Sequence, residues 1–249
     1  MSLSDKSDPM WRAVFLNGAC QAEDGSNGSG YRAYLQKMRE FENHRSHNAA
    51  ERDAQAKVVL NTFSTFQVLA ALRKGPWGVE GLNQHIEGLL SQEGLIQRER
   101  RQDWSENNGA GWYAGRPILV TRNDYTLGLM NGDIGITLKF YDQGEVRPSL
   151  RVAFLLADGS IKWVQPSRLH DVETVFAMTV HKSQGSEFDH TVLVLPDQAN
   201  PVLTRELVYT GVTRAKTRLS LILPKPELFD AAISKRTFRA SGLASLLGH

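Results

Sequence analysis

The sequence predicts an α/β domain built on a mostly parallel sheet and interrupted by a small inserted β-barrel. Three observations point there. Short apolar runs alternate with helical patterns at both ends of the chain: Phe66 to Leu72 early, then Val175 to Val180, Thr191 to Leu195 and Leu219 to Leu223 late. Between residues 113 and 172 the texture changes to short, closely spaced strands without helices, as in a small barrel. Within that stretch Asn131-Gly132-Asp133 and Asp158-Gly159 are turn signals, the second a strong hairpin marker. The chain divides accordingly into a first α/β part over 1–112, with an N-terminal helical segment, an insert over 113–172, and a second α/β part over 173–249.

Taken in order, the first 60 residues are polar and mostly helical in pattern. Gly25 to Gly30 is a flexible break. Tyr31, Tyr34, Leu35 and Met38 recur at helical spacing, and Ala49 to Leu60 is a second helix of high propensity. Phe66 to Leu72 is short enough for a buried strand. Gly75, Pro76 and Gly78 then force a tight loop, and Leu82, Ile86, Leu89 and Leu90 mark one face of a further helix. In the insert, Pro117 to Val120, Gly135 to Phe140, Val152 to Leu156 and Ile161 to Val164 are strand candidates. Beyond it, Leu207, Val208, Gly211, Val212 and Ala215 form one helix face before the closing strand.

Composition narrows the function classes. Twenty-nine basic residues against 27 acidic leave a formal charge of +2, so a nucleic-acid surface has to be local. The one basic concentration, eight Lys/Arg against three Asp/Glu from Arg205 to the end, is such a place. The insert is no electrostatic clamp, with seven Lys/Arg and six Asp/Glu over 113–172. A lone Cys20 excludes an intrachain disulfide and a cysteine metal cluster, and fits a reducing cytoplasm. No apolar stretch approaches the roughly 20 residues that span a bilayer, so no membrane partner is expected.

Two segments carry chemistry. Thr179-Val180-His181-Lys182-Ser183-Gln184-Gly185-Ser186-Glu187-Phe188-Asp189 follows a buried strand, where ligands commonly bind in α/β sheets. Hydroxyls and free backbone N–H groups beside Gly185 suit phosphate oxygens, while Glu187 suits a sugar hydroxyl better. A polar loop at a helix start is the plain structural alternative. The second segment is Glu206 to Lys216, in which Thr210, Thr213 and Arg214 share the polar side of a helix. An arginine held by a packed helix can be offered to a neighbouring domain's nucleotide, although most such arginines are surface residues.

Together the two segments resemble motifs V and VI of superfamily 1 helicases of the RecD branch. Gln67-Val68-Leu69 with Arg73 to Asn83 is similar to that family's motif IV region. Thr121 to Asp124 with Gly128 to Gly135 is similar to its inserted barrel, which has a Src-homology-3-like (SH3-like) fold. The resemblance covers residues 66 to 223 in the family's order, and implies a RecA-like domain. It implies that Arg214 reaches the γ-phosphate of ATP, that Arg73 is a second phosphate contact, and that Glu187 touches the nucleotide sugar. It places Thr179, His181 and Lys182 on the DNA backbone, and Gln184 and Gly185 where DNA and nucleotide are coupled.

The departure from the family is as informative. No G-x-x-x-x-G-K-[S/T] phosphate loop and no strand-ending Asp-Glu pair occurs in the 249 residues. ATP and Mg²⁺ are therefore expected to be held by a preceding RecA-like domain, and this chain alone is expected to be inactive. Clustered carboxylates for a two-metal nuclease are also missing from the sequence. The expectation is part of an ATP-dependent 5′-to-3′ DNA helicase acting on single strands and double-strand ends. Its expected partners are RecB- and RecC-like subunits of an exodeoxyribonuclease V assembly, in break repair and recombination. A stand-alone RecD-like or relaxase-associated helicase shares the same motifs, and a non-catalytic DNA-binding or subunit-docking module is the reading from a different class.

Overall fold

Phe66 to Ala70 is buried at every position, as a strand covered on both faces has to be, and it forms β1 at the centre of a parallel sheet. The computed structural model describes residues 9–18, 29–44, 48–97, 111–141 and 147–235. Cys20, most of the Gly25 to Gly30 break and the basic residues after Lys235 lie outside the described residues.

The main elements run in chain order from α1 (Pro9–Trp11), which continues as a π-helical turn, through α2 (Tyr31–His44) and α3 (Ala49–Ser64) to β1 (Phe66–Ala70) and α4 (Val79–Gln92). Five short strands follow: β2 (Pro117–Val120), β3 (Ile134–Phe140), β4 (Ser149–Leu155), β5 (Ile161–Val164) and β6 (Val172–Thr174). The chain then returns to the first sheet with β7 (Ala177–Thr179), β8 (Phe188–Val194), α5 (Arg205–Val212), β9 (Ala215–Ile222) and α6 (Pro226–Ser234). The parallel sheet has the order β7-β1-β8-β9, with Ala70 opposite both Thr179 and Val194. Strands from either side of the intervening segment thus lie side by side in one sheet.

The intervening strands form an antiparallel sheet of order β5-β4-β3-β2-β6. Asp158 and Gly159 make the β4–β5 hairpin, with Gly159 at φ +81° and the Leu156 amide donating to the Ser160 carbonyl at 2.9 Å. Alternation along the strands, with a core on each side, explains why every residue of β2 is buried. Ile118, Val120, Val152 and Phe154 face a small local core with Leu129 and Val164, while Leu119 and Ala153 turn to the main core. The insert therefore shares its inner face with the rest of the protein instead of standing apart.

Two expectations need correction. The sheet does not end at residue 172, because Val172–Thr174 pairs with β2 through Ile118 opposite Thr174. Ala215 is not on the helix: α5 stops at Val212, Thr213 and Arg214 form a turn, and Ala215 opens β9.

Buried polar side chains fix how the chain crosses between sheets. Gln67 donates from Nε2 to the Phe176 carbonyl at 2.9 Å. Asn83 accepts from the Ala177 amide at 2.8 Å and donates to the Thr174 and Ala177 carbonyls at 3.0 and 3.3 Å. Since β7 is the edge of the parallel sheet, this amide supplies the partner that a further strand would have provided.

The N-terminal helices act as a layer over the cores. Tyr31, Tyr34, Leu35, Met38 and Phe41 bury one face of α2. Asn48 caps α3 by accepting from the Ala50 amide at 3.0 Å, and Ala56, Val59, Leu60 and Phe63 line its buried face. Trp11 is fully buried between Phe15, Trp77 and His85.

His190 on β8 ties the N-terminal segment to the sheet. Its Nδ1 lies 2.6 Å from Ser29 Oγ, its Nε2 lies 2.9 Å from Ser220 Oγ, and the ring meets Phe66 edge-on. Burial, aided by the Arg218 charge, holds its pKa down at about 4. Above about pH 6.5 the ring is neutral in both folded and unfolded chains, and its contribution is complete. As pH falls from about 6.5 toward 4 the unfolded chain gains a proton that the folded chain refuses, so stability declines. Between pH 7 and pH 5 the loss from this ring should be about 2 kcal/mol. Urea unfolding of wild type and His190→Gln at both pH values checks it; equal pH dependence in the two proteins would contradict the assignment.

Candidate functional site

The loop from Val180 to Glu187 runs from the end of β7 to the start of β8, and short hydrogen bonds shape it. The Val180 amide donates to the Ala70 carbonyl at 3.0 Å, and the Lys182 amide to the Thr179 carbonyl at 3.0 Å. Ser183 is fully buried and donates from Oγ to the Val180 carbonyl at 2.8 Å. The Ser186 amide donates to the Ser183 carbonyl at 3.0 Å. Gly185 adopts φ +86° with open space where a Cβ would be, so backbone conformation, not crowding, asks for glycine there. The result is a fixed loop that turns His181, Lys182, Gln184, Gly185, Ser186 and Glu187 to the surface while Thr179 stays half-buried.

Arg214 closes the far end of this loop. Its Nε donates to the Thr210 carbonyl at 3.1 Å, Nη2 to Thr213 Oγ1 at 3.2 Å, and Nη1 to the Ser186 carbonyl at 3.0 Å. The Phe188 amide in turn donates to the Arg214 carbonyl at 2.8 Å. Three of the five guanidinium N–H donors are thereby used to hold the fork still. Helix α5 is positioned by close packing at Gly211, where a Cβ would meet both Leu193 methyls at 3.0 and 3.1 Å. Thr204 caps its start by accepting from the Leu207 amide at 3.3 Å.

Arg73 sits in the loop after β1, whose shape depends on glycines at close approach. A Cβ on Gly81 would lie 2.5 Å from the carbonyl oxygens of Gly75 and Pro76. Arg73 Nη2 donates to Glu173 Oε2 at 3.0 Å, and Nε lies 3.7 Å from Glu80 Oε1. Lys182 Nζ is paired with the other oxygen of the same Glu173 carboxylate.

The sequence-predicted residues thus fall into two groups. Thr179, His181, Lys182 and Arg73 gather at the carboxyl ends of β7 and β1. Arg214, Gly185 and Glu187 gather at the amino ends of β8 and β9, where Phe188 is opposite Ala215, and Gln184 lies on the stretch between. Arg73 and Arg214 thus lie toward opposite ends of the parallel strands. Sequence reasoning passed over Glu173 and Ser183: the first is one carboxylate in an unremarked three-residue strand, the second a hydroxyl in a loop full of them. Among the described residues no cluster of three or more His, Cys, Asp or Glu could hold a metal ion, and no helix is long and apolar enough to cross a membrane.

Comparison with known proteins bears on the same segments. Residues 174–222 match the UvrD-like helicase C-terminal domain family. The chain is 36% identical over 224 residues to the RecBCD enzyme subunit RecD of Haemophilus influenzae, covering 87% of this chain and 31% of that protein. It is 41% identical over 188 residues to the same-named subunit of Mycolicibacterium smegmatis, covering 76% of this chain and 30% of the relative. The ATP-dependent RecD2 DNA helicase of Deinococcus radiodurans is 35% identical over 156 residues, with 61% of this chain and 19% of that protein covered. The chain therefore spans about a third of the length of the first two relatives. A crystal structure of Pif1 helicase from Bacteroides is a looser likeness at 14% identity and TM-score 0.38, covering 81% of this chain and 52% of that one.

Proposed function

Because the chain belongs to the RecD family of DNA helicases, we propose that it is the part of a helicase motor that grips single-stranded DNA and presents an arginine to ATP. The observation that supports this most is the join between the two segments: Arg214 is hydrogen-bonded to the backbone of the Val180–Glu187 loop at Ser186. A shift of that loop on DNA would be felt at the guanidinium, and the reverse. On this reading Thr179, His181 and Lys182 face the DNA backbone, Gln184 and Gly185 lie on the connecting stretch, and Glu187 is near the nucleotide sugar. The residues of this chain fit one side of a nucleotide site: an arginine fork held by carbonyls, with no phosphate-cradling loop in the sequence. Mg-ATP would be held by a separate RecA-like domain, whose γ-phosphate Arg214 would approach.

The proposal extends to the whole protein's setting. It would be an ATP-dependent 5′-to-3′ helicase subunit working with RecB- and RecC-like partners on double-strand ends, in repair and recombination in the cytoplasm. The five-stranded antiparallel insert is read as the SH3-like module of that family. The similarity to a RecD2 helicase supports a stand-alone enzyme as the second reading, with the same residue roles.

Lys182→Ala in the full-length helicase tests the DNA assignment. Backbone contacts carry no sequence information and weaken with salt, so binding to single strands of any sequence should fall by a similar factor, about tenfold at low salt. A loss confined to one sequence, or none, would remove Lys182 from the DNA path.

A further inference from the structure

We propose that Arg73 and Lys182 form one receiving fork for a single backbone phosphate of the DNA strand, with Glu173 as a built-in competitor for it. This rests on the reading of the Val180–Glu187 loop as a DNA contact and changes the ligand of Arg73.

The geometry of Glu173 is the starting point. Its Oε2 receives Arg73 Nη2 at 3.0 Å and its Oε1 receives Lys182 Nζ. Two cations from loops after different strands are thus held on the two oxygens of one anion. A phosphodiester presents two non-bridging oxygens on one atom in the same way, so a pair that closes on a carboxylate is arranged for a phosphate as well. The Arg73, Lys182 and Glu173 side chains are 60%, 32% and 25% exposed, which leaves the fork open to a ligand from solvent.

Strand register separates this fork from Arg214. Arg73 is three residues past Ala70, which is level with Val194 at the carboxyl end of β8. Arg214 immediately precedes Ala215, which is level with Phe188 at the amino end of β8. Six residue steps of strand lie between those levels, about 20 Å along the strand direction. One γ-phosphate cannot be met from both places, whereas Lys182 and Arg73 already meet on one group.

Glu173 has two effects on such a site. It keeps the fork closed and aligned, and it must give up its cations when a phosphate arrives. Exposed ion pairs of this kind add little to stability, so neutralising Glu173 leaves the fold intact and frees the cations. Negative charge removed from beside two cations tightens any anion they bind.

The test uses the full-length helicase, fluorescence anisotropy of labelled oligo-dT over a salt series, and separate titration with a fluorescent ADP, with melting temperature as the folding control. Arg73→Ala should weaken oligo-dT binding by about the same factor as Lys182→Ala and lower the salt slope by about 0.7, leaving ADP affinity unchanged. The double variant should lose less than the product of the two single losses, because both act on one phosphate. Glu173→Gln should bind oligo-dT several-fold more tightly at low salt, with no gain when Arg73 and Lys182 are both Ala. Normal oligo-dT binding by Arg73→Ala with Lys182→Ala impaired would overturn the inference alone. If neither variant affects oligo-dT binding, the reading of the loop as a DNA contact fails with it. Weaker binding by Glu173→Gln would overturn the competition.

Discussion

Arg214→Ala in the full-length helicase should lower DNA-stimulated ATP turnover by about 10²-fold or more, roughly 3 kcal/mol of barrier. As a γ-phosphate leaves, charge spreads over its oxygens, and a fork already fixed in place stabilises that state without reorganising. Carbonyls of Thr210 and Ser186 and the Thr213 hydroxyl provide that fixing. Their loss costs some local order, so the variant should melt a little lower, but turnover per folded molecule should fall far more. Lysine at 214 should rescue poorly, since one ammonium cannot hold both carbonyls and still meet a phosphate as a planar fork does. Turnover and melting temperature measured on the same preparation separate the roles. A normal turnover number with a lowered melting temperature would make Arg214 a structural pin between α5 and the loop.

Asn83→Leu is expected to have the largest effect on stability of any polar substitution on α4. The substitution strands the Ala177 amide and the Thr174 and Ala177 carbonyls at the edge of the parallel sheet, and Asn83 itself is only 8% exposed. Each buried group left unsatisfied costs about 1–3 kcal/mol, so a loss of about 3 kcal/mol or more is expected. Gln84→Ala, one residue along on the exposed side of the same helix, should change stability by about 0.5 kcal/mol or less. Urea denaturation of the two variants checks both numbers. Near-equal midpoints would mean that Asn83 does not hold the crossover from β6 to β7.

Much of the frame could be read directly from residue pattern. The mostly apolar runs in β1 and β8 are parallel strands buried at nearly every position, which leaves no alternation to confuse, whereas β9 is a largely exposed edge strand recognised by its apolar end. The Asp158-Gly159 hairpin was legible for a local reason: it needs a positive φ, and only a few residues accept one. Two errors have identifiable causes, one distant in the sequence and one local. Val172-Glu173-Thr174 is three half-buried residues whose strand character comes from pairing with β2, some fifty positions earlier, which no local window contains. The apolar spacing Leu207, Val208, Gly211, Val212, Ala215 continues past the true end of α5 because neither Gly nor Pro marks the stop.

For the site, chemistry was readable and neighbourhood was not. The mix of hydroxyl, imidazole, ammonium and amide in Thr179 to Glu187 identified the loop, and its place after a buried strand was right. What the loop touches depends on residues far away in sequence: Glu173 meets Arg73 across 100 positions, and Arg214 meets Ser186 across 28. Those contacts distribute the cations between two ends of the sheet, which residue spacing alone does not reveal. Gln67 and Asn83 were similarly silent, since a buried amide reveals its role only through the backbone groups it satisfies.

The central claim is that this chain holds the DNA-gripping and arginine-bearing half of a motor whose nucleotide is held elsewhere. DNA-stimulated phosphate release, measured side by side on the purified 249-residue chain and on the full-length helicase, tests it most directly. The account predicts release from the full-length protein, and from the chain alone no more than from a mock preparation. Phosphate release by the chain alone that rises with added single-stranded DNA and survives further purification would contradict it.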